Sequence, residues 1–359
     1  MKKRLVPLSL ALSVCSALCA TQPAVGRQQP ARQAAGANVK VYRGSLSDRG
    51  IEVRLARGGG RVSGSYAYDG IGQSLKLEGR ETTGEKFELT ETDAAGRQTG
   101  KWSCEGERQG EWDQDLNCKW TRPDGKNELF VALYEQASFA SRLRVAPKTV
   151  VDRRFGVHAS YPQLAAAEGA QLSPAAQHFN RLLEEKVGKE ARGFGQSVEP
   201  QKNLYFDANY NVLAATDDFI SVELSYDSFA GGAHPNSAYD TVNYDLRADR
   251  ELKTEDILRP GYEKVIAAYC FKDIARRADA QEQEDAKREG RKPNPPSADE
   301  PPVPAEELET VGAVSVTPRG LLIYYDLPHV VAVFDRNFVP YSIIKDKLRP
   351  GTPAARFAR

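Results

Sequence analysis

Leu204-Tyr205-Phe206-Asp207-Ala208-Asn209-Tyr210-Asn211-Val212 places an apolar side chain at every second position from Leu204 to Val212. A period of two puts those side chains on one face of an extended strand. Thr216-Asp217-Asp218 turns the chain, and Ile220, Val222, Leu224 and Tyr226 alternate again. A loop from Ser228 to Asn236 leads into a third run through Val242, Tyr244 and Leu246. Consecutive alternating runs with short connections predict an antiparallel sheet with one buried face.

Upstream, Val150 to Tyr161 reads as one strand ending at Tyr161-Pro162. Ser173-Pro174 then opens a helix, with serine as cap and proline at the first position. Phe179, Leu182, Leu183 and Val187 form its apolar stripe. Downstream, a second helix starts near Tyr262, and Cys270 falls on its apolar side with Val265, Ile266 and Ile274. From Gln281 to Glu307 the chain is charged and proline-rich, which predicts a flexible insertion without a core. Val314 and Val316, the turn Pro318-Arg319-Gly320, and Leu321, Ile323 and Tyr325 resume the strand pattern. Val330, Ala332 and Phe334 predict one more strand, and a short helix follows Tyr341-Ser342. Strands and helices are segregated, so residues 147–349 are expected to form an α+β domain with a mainly antiparallel sheet, and 350–359 a tail.

Residues 38–136 differ in texture. Val53 and Leu55, Leu75 and Leu77, and Phe87 and Leu89 mark short strands, cut by turns such as Gly58-Gly59-Gly60, Asp69-Gly70 and Pro123-Asp124-Gly125. This spacing predicts an all-β domain, an antiparallel meander closed or nearly closed into a barrel. Gly44, Gly64, Gly79 and Gly100 recur inside the strands, where glycine lets a sheet bend or an aromatic ring lie over the backbone. Tyr66, Tyr68, Trp102, Trp112 and Trp120 read as core or sheet-face residues before they read as a sugar platform.

The chain carries 49 Lys+Arg against 49 Asp+Glu, so its formal net charge is zero. No overall positive field exists to attract nucleic acid or an anionic membrane. Lys2, Lys3 and Arg4, the apolar run Leu5 to Leu18, and the small residues that follow have the order of a secretory signal peptide over residues 1–20. The run is too short for a transmembrane anchor, and no other segment suits one. Leu18 before Cys19 argues against lipidation. Residues 21–37, rich in Gln, Ala, Pro and Gly, predict a disordered leader. The expected location is periplasmic or secreted, where a Cys104–Cys118 disulfide could persist. Cys270 is then expected to be free and buried, and no Cys or His spacing suggests a metal or a cofactor.

The connection Tyr226-Asp227-Ser228-Phe229-Ala230-Gly231-Gly232-Ala233-His234-Pro235-Asn236, with its flanks, carries a family likeness. It resembles the extracellular domain of RsiV-type lysozyme-sensing anti-sigma factors, a domain also found as the accessory region of PdaC-type peptidoglycan deacetylases. Further matches are Ser160-Tyr161-Pro162-Gln163-Leu164, Phe179-Asn180, Asn243-Tyr244-Asp245-Leu246, Leu252 to Leu258, and Val339-Pro340-Tyr341. No sigma-binding segment is present, and the Asp-Asp and His-x-x-x-His ligand pairs of the deacetylase domain are missing. The resemblance therefore implies noncatalytic contact with a lysozyme-like protein or with cell-wall glycan. Its expected contact residues are Phe229, Gly231, Gly232, Ala233, His234, Pro235, Asn236 and Tyr239. The alternative is an envelope hydrolase or deacetylase-like enzyme that uses His234 with Asp227 or Asp240 as its orienting carboxylate. No nucleophile motif stands near His234, which favours the binding reading.

Overall fold

Strands β1 (Val39–Leu46), β2 (Arg49–Gly58), β3 (Arg61–Tyr68) and β4 (Ser74–Glu81) run antiparallel in chain order. They continue into β5 (Phe87–Thr92), β6 (Gln98–Gly106), β7 (Leu116–Thr121) and β8 (Leu129–Glu135). The meander closes as a barrel where Tyr42 of β1 pairs with Glu135 of β8 and Gly44 with Leu133. The computed structural model describes residues 39–47, 49–83, 86–106, 116–140, 143–166, 170–197, 203–294 and 302–359. The expected signal and leader and Trp112 lie outside these residues.

The barrel interior is filled by alternating inward side chains, including Ile51, Val53, Leu55, Phe87, Leu89 and Trp102. Each fully buried side chain of this size contributes about 1.5–3 kcal/mol through area removed from water. Gly79 lies against the neighbouring strand so closely that a Cβ would collide with the Glu88 carbonyl. At Gly100 a Cβ would strike the Trp120 indole, so this glycine lets the ring lie over the backbone. Cys104 and Cys118 face each other across β6 and β7 and are joined by a disulfide.

A carboxylate enters this interior. Glu91 is 2 % exposed, and its Oε2 accepts from Tyr66 Oη (3.0 Å), Trp102 Nε1 (2.9 Å) and Trp120 Nε1 (2.9 Å). Its Oε1 accepts from Thr99 Oγ1 at 2.7 Å. Four donors thus replace the water this carboxylate gave up on burial.

The chain continues into a hairpin of β9 (Leu143–Asp152) and β10 (Val157–Ala166). Helix α1 (Pro174–Leu183) follows, then a π-helical turn (Glu184–Gly188) and α2 (Lys189–Ser197). Ser173 Oγ caps α1 by accepting from Ala176 N at 3.2 Å, as the Ser-Pro signal predicts. Strands β11 (Tyr205–Thr216), β12 (Phe219–Phe229), β13 (Asn236–Asp245) and β14 (Arg250–Leu252) complete a six-stranded sheet ordered β14-β13-β12-β11-β10-β9. All its pairs are antiparallel except β10 with β11, which join in parallel over only Val157–Ala159 and Phe206–Ala208. One face packs on α1 and α2 through Tyr161, Phe179, Leu183, Phe206 and Val222.

Helices α3 (Thr254–Ile257) and α4 (Tyr262–Glu289) then precede a three-stranded antiparallel sheet of β15 (Ala313–Val316), β16 (Gly320–Tyr324) and β17 (Arg336–Pro340). Short helices α5 (Tyr341–Ile344) and α6 (Pro353–Phe357) end the chain. A third core joins α4 to this sheet through Ile266, Cys270, Ile274, Val316, Ile323 and Val339. Cys270 is a free, buried thiol. No helix of the described residues is long and apolar enough to cross a membrane.

Four expectations are corrected. The stretch 150–161 holds a turn, because Gly156 at φ +62° reverses the chain between β9 and β10. The charged segment 281–307 is not coreless at its two described ends, and residues 295–301 lie outside the described residues. Helix α4 runs on to Glu289, capped by Gly290 in the left-handed conformation, and Val303 and Leu308 are fully buried. Ala, Glu, Gln, Lys and Arg are strong helix formers and hold a helix without an apolar stripe. Residues 329–334 form a 3₁₀ turn (His329–Phe334), not a strand, and the three-residue spacing of Val331 and Phe334 brings both onto the core. Residues 350–359 do not trail: Ala354 is fully buried and Arg356 pairs with Asp218 at 2.5 Å.

Barrel and sheets form one compact unit, Asn38–Arg359. Arg43 on β1 is 3 % exposed and reaches across to the six-stranded sheet. It donates to Asp69 (3.1 and 2.5 Å) and to Ser160 Oγ (3.3 Å), and its guanidinium lies 4.0 Å from the Tyr210 ring centre. Ser160 and Tyr210 lie just past the end of the short β10–β11 pairing, so the barrel's arginine fills the split between these strands. Farther along β11, Gln136 accepts from Val212 N at 2.8 Å and donates to Asn211 Oδ1 at 3.1 Å. Asn211 in turn donates to the buried Glu223, which also takes Tyr324 Oη (2.5 Å) and Arg336 Nε (2.7 Å).

Candidate functional site

The expected contact residues gather at the end of the β12–β13 hairpin. The last fully buried residue of β12 is Leu224, opposite Asp240. Four further pairs, from Ser225↔Tyr239 to Ser228↔Asn236, carry the hairpin onward. At about 3.3 Å per residue this is an extension of about 13 Å. Strand β11 flanks β12 as far as the pair Tyr205↔Phe229, so the extension is braced on that side. On the other side β14 covers only Asn243–Asp245, and the outer edge of β13 near the tip has no pairing strand among the described residues.

Ala230 to Tyr239 is exposed throughout, and Phe229 is half-buried. Gly231 (φ +95°) and Gly232 (φ +124°) take backbone conformations that side-chain-bearing residues rarely adopt, which fixes the shape of the tip. Ala233 and Pro235 are exposed with them, and Asn236 opens β13. His234 Nδ1 lies 2.9 Å from the Pro235 carbonyl oxygen. Tyr239 is 40 % exposed, with its ring centre 5.3 Å from that of Tyr324.

The carboxylates considered as orienting groups for His234 have other work. Asp227 accepts from Tyr205 Oη and Ser237 Oγ, each at 3.3 Å. Burial and then the nearby Asp227 carboxylate raise the Tyr205 phenol above its ordinary value. Asp240 pairs with Lys186 Nζ at 2.8 Å and accepts from Thr241 N at 2.7 Å. The tip therefore offers backbone groups, an imidazole and aromatic edges, an arrangement suited to contact.

A second concave feature lies where the barrel meets the six-stranded sheet. It is a cleft of about 300 Å³ walled by Ser45, Ser47, Arg49 and Gly50 and by Asp69–Ile71 of the barrel, and by strands β9, β10 and β11. His158 Nδ1 stands 3.6 Å from Asp207 Oδ1 within its lining. Local periodicity does not single out His158, because the parallel register that opposes it to Asp207 is a tertiary feature. Among the described residues no group of three or more His, Cys, Asp or Glu could hold a metal ion.

No family model matches the chain, and no curated protein matches it. Solved structures similar to it include two DUF3298 proteins. One is a DUF3298 family protein from Pseudomonas aeruginosa PAO1, 18% identical with a TM-score of 0.35, the match covering 58% of this chain and 94% of that one. The other is a member of the DUF3298 family from Bacteroides fragilis, 13% identical with a TM-score of 0.34, covering 62% of this chain and 99% of that one.

Proposed function

We propose that the chain is an exported, noncatalytic envelope protein. Its β12–β13 hairpin tip contacts a lysozyme-like enzyme or the cell-wall glycan on which such an enzyme acts. One observation carries the reading: ten consecutive residues, Ala230 to Tyr239, are exposed on a hairpin braced by β11. A rigid strand pair that holds an irregular tip presents contacts with little ordering entropy left to lose. The resemblance of this tip to RsiV-type domains supplies the partner class. A protein partner would bury about 1,200–2,000 Å² in total, so half-buried Phe229 and the Tyr239 ring would join the tip in contact. The partners of Asp227 and Asp240 weigh against a His234-centred enzyme.

His234→Ala, measured for binding and for turnover, tests this reading. The expected outcome is weaker binding to immobilised lysozyme or to purified sacculi, with no hydrolysis or deacetylation by either protein. Turnover by the wild type that the substitution abolishes would replace the binding reading with the enzymatic one.

A further inference from the structure

The cleft between barrel and sheet is a separate feature from the hairpin tip, and its lining is chemically specific. Its floor is preset. Asp69 is held by both terminal nitrogens of Arg43, and the same guanidinium holds Ser160. The cost of burying that ion pair is met on folding, so the geometry exists before any ligand arrives. Gly50 permits the close fit, because a Cβ there would collide with Asp69 and press on Asn209.

The charges do not cancel at the mouth. Asp69 is neutralised by Arg43, and Asp207 beside His158 leaves at most one negative charge against the two arginines of the mouth. Arg49 and Arg153 also line the cleft, both exposed, and neither side chain has a hydrogen-bond or ion-pair partner among the described residues. Guanidinium groups bind carboxylates through paired N–H donors. Ser45, Thr149 and Asn209 add neutral groups that can both give and take hydrogen bonds. Ile71 and Val151, 41% and 56% exposed, are among the large hydrophobics left open to solvent, and both lie in this lining. Covering them removes apolar surface from water.

We infer that this cleft binds a small hydroxylated carboxylate of the size of one sugar acid. The volume lies at the low end of the range for ligand pockets, about 300–1,000 Å³, and leaves room for one ring and no longer chain. The two arginines take the carboxylate, the hydroxyl and amide side chains take the ring hydroxyls, and Ile71 and Val151 meet a C–H face. This assignment is independent of the hairpin reading.

The test is an amide NMR titration of the full chain with glucuronate, with glucose as its neutral counterpart and inorganic phosphate as a bare anion. Glucuronate should shift amides in 45–50, 69–71 and 149–153. The exposed double variant Arg49→Ala/Arg153→Ala should weaken it by about tenfold or more, as expected for loss of a charge-assisted hydrogen bond. Glucose should bind at least as weakly as glucuronate binds the variant, and His234→Ala should bind glucuronate as the wild type does. No shifts at millimolar glucuronate, equal binding of glucose, or an unchanged double variant would overturn the assignment. Displacement by equimolar phosphate would overturn it too, reducing the cleft to a simple anion site.

Discussion

Replacing Glu91 with alanine should be among the most damaging single changes in the barrel. The substitution leaves four donors facing a void: Tyr66 Oη, Trp102 Nε1, Trp120 Nε1 and Thr99 Oγ1. Trp120 and Thr99 are half-buried and can turn toward water, and Tyr66 has a second hydrogen-bond partner in Tyr68, whereas the Trp102 indole is 2 % exposed and cannot reach water. An unsatisfied buried donor costs about 1–3 kcal/mol, and the void left by the missing side chain adds to it, so the loss should be about 3 kcal/mol. Glutamine makes the sharper comparison. Three of the four donors converge on Oε2, which the Gln carbonyl oxygen can replace. The amide nitrogen then faces Thr99 Oγ1, a hydroxyl that can reverse its role and accept. Glu91→Gln should therefore cost about 1 kcal/mol, the difference between charged and neutral acceptors. Urea unfolding followed by tryptophan fluorescence measures both, since Trp102 and Trp120 touch the substituted group. Equal losses for Ala and Gln, or an Ala variant within about 1 kcal/mol of the wild type, would refute the reasoning.

Three further outcomes are expected. The Glu184 carboxyl, held by Lys148, Tyr161 and Arg192, is lowered from 4.5 to about 2. Stability from this group is full above about pH 4.5 and is lost as pH falls toward 2, so Glu184→Gln should flatten acid unfolding in that window, and identical profiles would contradict it. Among Cys104, Cys118 and Cys270, only Cys270 should label in the unfolded, unreduced protein, and not at all in the native one, where burial pushes its thiol up to about 12. Val303→Ala should destabilise in thermal or urea unfolding by about 1–3 kcal/mol, because the residue is fully buried in the α4 core, and a neutral result would restore the reading of 281–307 as an insertion without a core.

The barrel and the three central strands were legible because their evidence is local. Alternation at Leu204 to Val212 and Ile220 to Tyr226 marks the side chains that face α1 and α2, although Asn211, Leu213, Ser221 and Glu223 on the opposite face are buried as well, and glycine-punctuated turns mark the meander. Errors arose where local signals conflict with tertiary partners. The charged run after Gln281 lacks an apolar stripe yet stays helical through propensity, and Val303 and Leu308 find a core supplied by α4 and β15–β17. Of the candidate sites, the hairpin tip was visible as a Gly-Gly connection between two alternating runs. The cleft was not, because Arg49, Asp69, Arg153 and His158 are brought together only when the barrel docks on the sheet. Glu91 was likewise hidden, since its donors come from β3, β6 and β7.

The central claim is that the hairpin tip is a recognition surface, and tip excision tests it most directly. Replacing Ala230–Pro235 with Asn-Gly-Thr, a two-residue turn that suits a twisted hairpin followed by a residue whose N–H can close it in place of proline, should keep the strand register and the fold. Binding of the full chain and of this variant would be measured side by side on immobilised lysozyme and on sacculi. The account predicts micromolar binding of the intact chain to one of these surfaces, and its loss in the variant without change in melting temperature. Equal binding by both proteins, or none by the intact chain to either surface at micromolar concentration, would contradict it.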